Sequence, residues 1–180
     1  MDISHRIHAR KVVLSYFYQR YFFLSLQKDE TVITGSLAIA HTFPDHEDFQ
    51  EQKDMLTGLL ESYNHVDIDE SIQYLINHMF DKRKDQVDTK YMVDVMAAFD
   101  LYWQKIPALV DAHATTFSFE KMDMIDKALF LLGYVEYKVL KTPKEIIINE
   151  LVELAKRYAD DGSAKLVNAI MHKMLSGEVS

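Results

Sequence analysis

A chain of 180 residues in which 48% are hydrophobic, with five Gly, three Pro and abundant Leu, Ile, Met, Lys and Glu, is long enough to bury the core of one domain and predicts an all-α fold. Its net charge of −8 excludes a protein that coats nucleic acid through an extended positive field, though not one with a local basic site. The lack of cysteine excludes a disulfide framework, a thiolate nucleophile and a Cys-type zinc site, and suits a reducing cytoplasm.

The opening residues, Met1 to Lys11, contain no apolar run of signal-peptide length, and no later stretch approaches the roughly 18 uncharged apolar residues of a membrane span. The predicted location is therefore cytoplasmic, with no membrane attachment. Hydrophobic spacing predicts about seven helices. The first, Ser4 to Leu26, carries Ala9, Val12, Val13, Phe17, Tyr21 and Leu24 on one stripe, with Arg6, Arg10 and Lys11 elsewhere around it. Thr31 to Pro44 lacks a sustained period and is predicted as a loop. A second helix is expected from Glu47 to Tyr63, with Phe49, Leu56, Leu59, Leu60 and Tyr63 in register. The third is introduced by a capping box, Asp67 and Glu70, and buries Ile68, Ile72, Leu75, Ile76 and Met79.

After a charged connection, Asp81 to Asp88, a fourth helix is expected to His113, kinked or split by Pro107 near Ile106. The fifth runs from Ser118 to Lys138; every residue from Leu129 to Val135 is apolar or Gly, so it is predicted to be buried on nearly all sides. Thr142 as cap, Pro143 at the first helical position and Glu145 announce the sixth, with Ile147, Leu151, Leu154, Ala155 and Tyr158 facing inward. Asp160-Asp161-Gly162 forms a turn before the last helix, Ser163 to Ser176, which buries Val167, Ile170, Met171 and Met174 and stops at Gly177. Short connections between the last helices imply antiparallel neighbours in a bundle.

The carboxyl half contains Met124-Ile-Asp126-Lys-Ala-Leu129, Tyr134-Val-Glu136, Pro143, Ile148-Asn149-Glu150-Leu-Val-Glu-Leu-Ala155-Lys156-Arg-Tyr158 and Ser163-Ala-Lys165-Leu-Val167-Asn168. Taken motif by motif, this order and spacing resembles the NusB family. Ala9-Arg10 and Tyr18 match the family's first helix, and Tyr91 to Val110 its middle helix, so the resemblance covers roughly two thirds of the chain. Best matched is 118–176; the stretch 22–90 diverges, is longer than usual and adds a helical pair within what is expected to be a single domain over 1–180. Ile7 and His8 stand where further arginines are usual, and Leu166 stands where an aromatic often precedes Val-Asn. The resemblance implies two roughly perpendicular helical bundles. It further implies transcription antitermination: the protein pairs with the ribosomal protein NusE, binds the boxA segment of nascent RNA, joins the elongating RNA polymerase and supports ribosomal RNA transcription. It implies no catalytic step and no cofactor.

Single-stranded RNA is held by cations on its phosphates and by splayed bases stacked on aromatic rings or guanidinium planes. The expected RNA contacts are the amino-terminal cluster of Arg6, His8, Arg10 and Lys11, with Tyr18 about two turns beyond Arg10, and Lys165 from the last helix. Asn149, Lys156 and Asn168 are read either as RNA or partner contacts or as hydrogen-bonding groups across the bundle, the second role being favoured for the two Asn. Glu136, Glu150 and Ser163 belong to the family motif with the same two readings open for the carboxylates, and Asp126 is an acidic position near the surface for RNA and partner.

Rival readings are weaker. His5 and His8 could share a helix face, and His41, Asp45 and His46 cluster in the loop, but neither set supplies a third ligand of suitable spacing for a metal. No phosphate loop, nucleophile elbow or catalytic carboxylate pair is present. A NusB-like domain of an RNA methyltransferase would continue into a catalytic part, whereas this chain ends at Ser180. A helical protein-binding scaffold with reduced or no RNA affinity is the alternative that the thinned arginine cluster suggests, and a homodimer is left open.

Overall fold

The computed structural model describes residues 3–28, 67–79 and 86–177, together with 51, 54, 55, 57–59, 61 and 62. The chain divides into two compact units, one formed by Met1–Tyr18 and Ile68–Ser180, the other by Gln19–Asp67. Among the described residues all regular structure is helical.

Helix α1, Ile3–Lys28, is the predicted first helix at almost its predicted length. Its first part, which belongs to the larger unit, buries Ala9, Val12, Val13, Leu14, Tyr16 and Phe17. Helix α2, Ile68–Tyr74, begins directly after Asp67 and continues as a π-turn, Leu75–Met79; Ile72, Leu75 and Ile76 are buried. This segment, the second member of the predicted extra pair, belongs to the larger unit and packs on the helix that follows it. Described residues of the first member, among them Met55, Leu59 and Ser62, are helical and belong to the smaller unit. The predicted loop from Thr31 to Pro44 lies outside the described residues, as do Phe49, Leu56, Leu60 and Tyr63.

The predicted fourth helix is three short ones: α3, Thr89–Met96; α4, Phe99–Tyr102; and α5, Ile106–Asp111. Pro107 accounts for the second break, since it cannot donate a hydrogen bond back to the preceding turn. The first break, at Ala97 and Ala98, has no sequence signal. There the backbone switches to a three-residue bond from the Ala98 amide to the Val95 carbonyl, and Ala98 adopts φ −87°, ψ 0°. Phe17, Phe99 and Trp103 form an aromatic row, with centroids 5.4 Å and 6.2 Å apart, that packs α1 against α4.

The fifth predicted helix begins later than Ser118. A 3₁₀ turn, Phe119–Lys121, comes first, then Met122 and Asp123 are extended, and α6 spans Met124–Leu140. The Asp111 carboxylate accepts the Phe119 amide at 2.6 Å, so the 3₁₀ turn is tied to α5 rather than continuing as helix. Helix α6 is the centre of the unit: Ala128 through Glu136 are buried without interruption, and α3, α4, α5, α7 and α8 all pack on it. It ends at Lys141, whose φ of 55° is left-handed. Gly133 lets the neighbours close in, because a Cβ there would overlap Leu151 Cδ1 of α7 and Met171 Cε of α8. Helix α7, Lys144–Tyr158, starts one residue later than predicted: Pro143 occupies the cap position and no side chain caps the helix. Helix α8, Ser163–Ser176, ends before Gly177 as predicted and buries Val167, Ile170, Met171 and Met174.

Candidate nucleic-acid interface

Helix α1 presents two different faces to its surroundings. On the inner side stands Arg10, only 4% exposed. Its guanidinium donates from Nε to Glu136 Oε2 at 3.0 Å and from Nη2 to Oε1 at 2.7 Å, and Nη1 lies 3.2 Å from Glu150 Oε2. The Tyr91 hydroxyl donates to the same Glu136 carboxylate at 2.8 Å. One buried cation thereby joins α1 to α6 and α7, and the shared carboxylate brings in α3. Burial alone would lower the Arg10 pKa, but the hydrogen bond and charge of Glu136, with help from Tyr91 and Glu150, outweigh it and hold the guanidinium above its ordinary value. Burial, reinforced by the Glu136 charge, pushes the Tyr91 phenol well above its usual range, so it remains a donor.

Arg6 extends the same arrangement. Its Nε donates to Asp88 Oδ2 at 2.8 Å, and its guanidinium carbon sits 4.5 Å from the centroid of the Tyr91 ring. Asp88 also caps α3, accepting the Tyr91 amide on Oδ1 at 3.0 Å. The expectation that Arg6, Arg10 and Lys11 form one solvent-facing cationic strip is therefore corrected. Arg10 is withdrawn into the core, and Arg6 is half-buried against α3, because the carboxylates of Glu136 and Asp88 are buried there and need cations.

The outer side of α1 holds Lys11, which is half-buried, and Tyr18, 40% exposed. Seven residues is nearly two full turns, so these two side chains share a face. Lys11 and Ile7 form one bank of an open groove of about 500 Å³ whose other bank is α7, with Glu150, Glu153, Leu154, Lys156 and Arg157. Lys156 donates to Glu153 at 2.6 Å, and Glu150 is held by Arg10, so both carboxylates of the groove already face a cation. His8 is half-buried on α1. Lys165 is exposed on α8 and does not line this groove.

Of the motif residues, Asp126 is buried instead of lying on a surface for RNA or a partner: it accepts the Ser163 hydroxyl on Oδ2 at 3.1 Å, while its Oδ1 has no hydrogen-bond partner. Burial raises its pKa, the Ser163 bond opposes the rise, and the charges of Asp123 and Asp160 add to it. Ser163 is itself buried, so this bond joins the start of α8 to the first turn of α6. Asn149 and Asn168 are exposed, which corrects the favoured role for them as buried bridges across the bundle; Lys156 is exposed too. Tyr158, expected on the buried stripe of its helix, is 43% exposed because it is the last residue of α7, with the Arg157 guanidinium 5.6 Å from its ring centroid. Among the described residues, no three His, Asp or Glu side chains are placed to hold a metal ion. His5 and His8 are half-buried, and His41, Asp45 and His46 lie outside the described residues. Nor is any described helix long and apolar enough to cross a membrane.

Sequence reasoning missed the partners of Arg10 and the exposure of Arg157 and Tyr158. The first had a signal: Glu136 directly follows the apolar run from Leu129, and a carboxylate inside a buried helix requires a cation.

Comparison with known proteins agrees with this architecture. The model of the NusB family matches residues 50–176, a span that begins after α1. The transcription antitermination protein NusB of Alkaliphilus oremlandii is 27% identical over 115 residues, which cover 63% of this chain and 83% of that protein. Among solved structures, T. maritima NusB superposes with a TM-score of 0.59 at 18% identity, over 97% of this chain and 93% of that one, a likeness of fold.

Proposed function

The chain belongs to the NusB family, and from that membership we propose that it is a transcription antitermination protein that binds boxA-type single-stranded RNA together with the ribosomal protein NusE. In this reading the pair joins the elongating RNA polymerase in the cytoplasm and supports ribosomal RNA transcription. No reaction is catalysed.

The observation that carries the RNA part is the pairing of Lys11 with Tyr18 on the outward face of α1. A phosphate contact and an aromatic platform two turns apart are what an unpaired strand requires. His8 and Lys165 are proposed as flanking contacts, and the exposed Asn149, Lys156 and Asn168 as contacts to RNA or partner. Each base stacked on an aromatic ring contributes about 1 to 3 kcal/mol, so one such ring with few cations gives weak binding by itself. A second polypeptide must complete the surface. The charge of −8 favours a basic partner such as a ribosomal protein. Titration of boxA-type RNA with the protein, alone and with NusE, at two salt concentrations tests the proposal: weak binding alone should tighten with NusE. The withdrawal of Arg10 from solvent favours a second reading, a protein-binding scaffold without RNA affinity, and absence of RNA binding even with NusE present would establish it.

A further inference from the structure

The smaller unit, Gln19–Asp67, supplies none of the proposed RNA contacts, and its charge differs from that of the rest of the chain. In sequence its 49 residues hold nine Asp and Glu against Arg20, Lys28 and Lys53, so it carries −6 of the net charge of −8 and leaves −2 for the larger unit. A surface of that sign repels phosphates. It selects a cationic ligand and disfavours a strand of RNA.

A helix face that served only to solvate the unit would be polar throughout. This one is not. Glu51, Asp54, Met55, Leu59 and Glu61 are all helical and exposed, Met55 by 70% and Leu59 by 54%. At 3.6 residues per turn the five fall on one side of the cylinder, with the three carboxylates towards one edge and Met55 and Leu59, one turn apart, along the other. Gly58 lies on the same side with nothing within 4 Å of where a Cβ would stand, so a partner can approach down to the backbone. Two neighbouring large apolar side chains left in water are stabilised when something covers them. The chemistry that fits is an amphipathic segment with Leu-sized side chains along one edge and Lys or Arg along the other.

We infer that the exposed helix face formed by Glu51, Asp54, Met55, Leu59 and Glu61 docks a basic amphipathic helix of a second protein. Met55 and Leu59 supply the apolar contact, and the carboxylates fix the orientation of the incoming helix by pairing with its cations. The inference does not rest on the RNA reading, because no residue of this face enters the surface assigned to RNA.

The test titrates the full chain into two fluorescein-labelled helical peptides of about four turns, one of Leu and Lys in amphipathic order and one in which Gln replaces every Leu, and follows their anisotropy. Wild type should bind the Leu/Lys peptide about tenfold or more tighter than the Gln/Lys peptide of equal charge. The double variant Met55→Ser with Leu59→Ser should lose that preference. Glu51→Gln with Glu61→Gln should weaken binding at low salt more than at high salt, whereas Glu120→Gln with Glu145→Gln, two exposed carboxylates of the larger unit, should bind as wild type does. Circular dichroism checks that these exposed substitutions leave the fold intact. Equal binding of the two peptides by wild type, or an unchanged preference in the Met55 and Leu59 variant, would mean that diffuse charge alone attracts the peptide and that the face is no docking site. Light scattering that finds a wild-type dimer which the same variant dissociates would give the face to a second copy and overturn the basic partner. RNA affinity of the Met55 and Leu59 variant should match wild type, so failure here leaves the proposed function standing.

Discussion

Arg10 and Glu136 meet through two hydrogen bonds, at 3.0 and 2.7 Å, in a position where the arginine side chain is 5% and the glutamate side chain 1% exposed. Such a pair adds little net stability when compared with apolar replacements, but breaking it strands a charge in the core. Arg10→Ala should therefore destabilise the protein by about 3 to 5 kcal/mol. The double variant Arg10→Met with Glu136→Leu should lose less than Arg10→Ala alone. Urea unfolding of the three proteins checks both statements. Loss of RNA binding in Arg10→Ala is then a consequence of unfolding, and the double variant should recover it.

Asp126 gives the protein an acid-side pH dependence of definite sign. Its folded pKa is raised, first by burial, so the folded state holds the proton more tightly than the unfolded chain. That stabilisation is complete below the unfolded value, about 3.9, and is lost as pH rises through the folded value. Wherever the carboxylate is ionised its charge is thus a cost, and its buried Oδ1 has no hydrogen-bond partner. Asp126→Asn, which keeps a group able to bond Ser163, should melt at a higher temperature than wild type at pH 7. The difference should shrink as pH is lowered towards 4, as thermal melts across that range will show.

Gly133 sits where side chains of α7 and α8 press on α6, with Leu151, Met171 and Ile147 surrounding the missing side chain. A branched side chain there must displace packed atoms on two neighbouring helices. Gly133→Val should cost about 1 to 3 kcal/mol from overpacking, more than any gain in helix propensity returns. Chemical denaturation measures it.

The helical class, the extent of α1, the burial of α6 and the end of α8 at Gly177 were all legible in the sequence, because each depends on local spacing or on a local stop signal. Which cation of α1 faces inward was not. Arg10 and Glu136 are 126 positions apart, and helical periodicity places Arg6, Arg10 and Lys11 around a cylinder without saying what lies opposite each. Tyr158 fits the spacing of Leu151 and Leu154, yet spacing does not tell where the neighbouring helices stop covering α7. The break at Ala97 and Ala98 escaped notice because Ala is the strongest helix former and tertiary packing overrode it.

The account depends on the outward face of α1, with Lys11 and Tyr18, touching RNA while Arg10 does not. Measurement of boxA-type RNA affinity in the presence of NusE, across salt concentrations, for wild type, Lys11→Ala and Tyr18→Leu tests this most directly. The account predicts a salt slope lower by about one for Lys11→Ala and an affinity about five- to hundredfold weaker for Tyr18→Leu. Wild-type slope and affinity in both variants would contradict it.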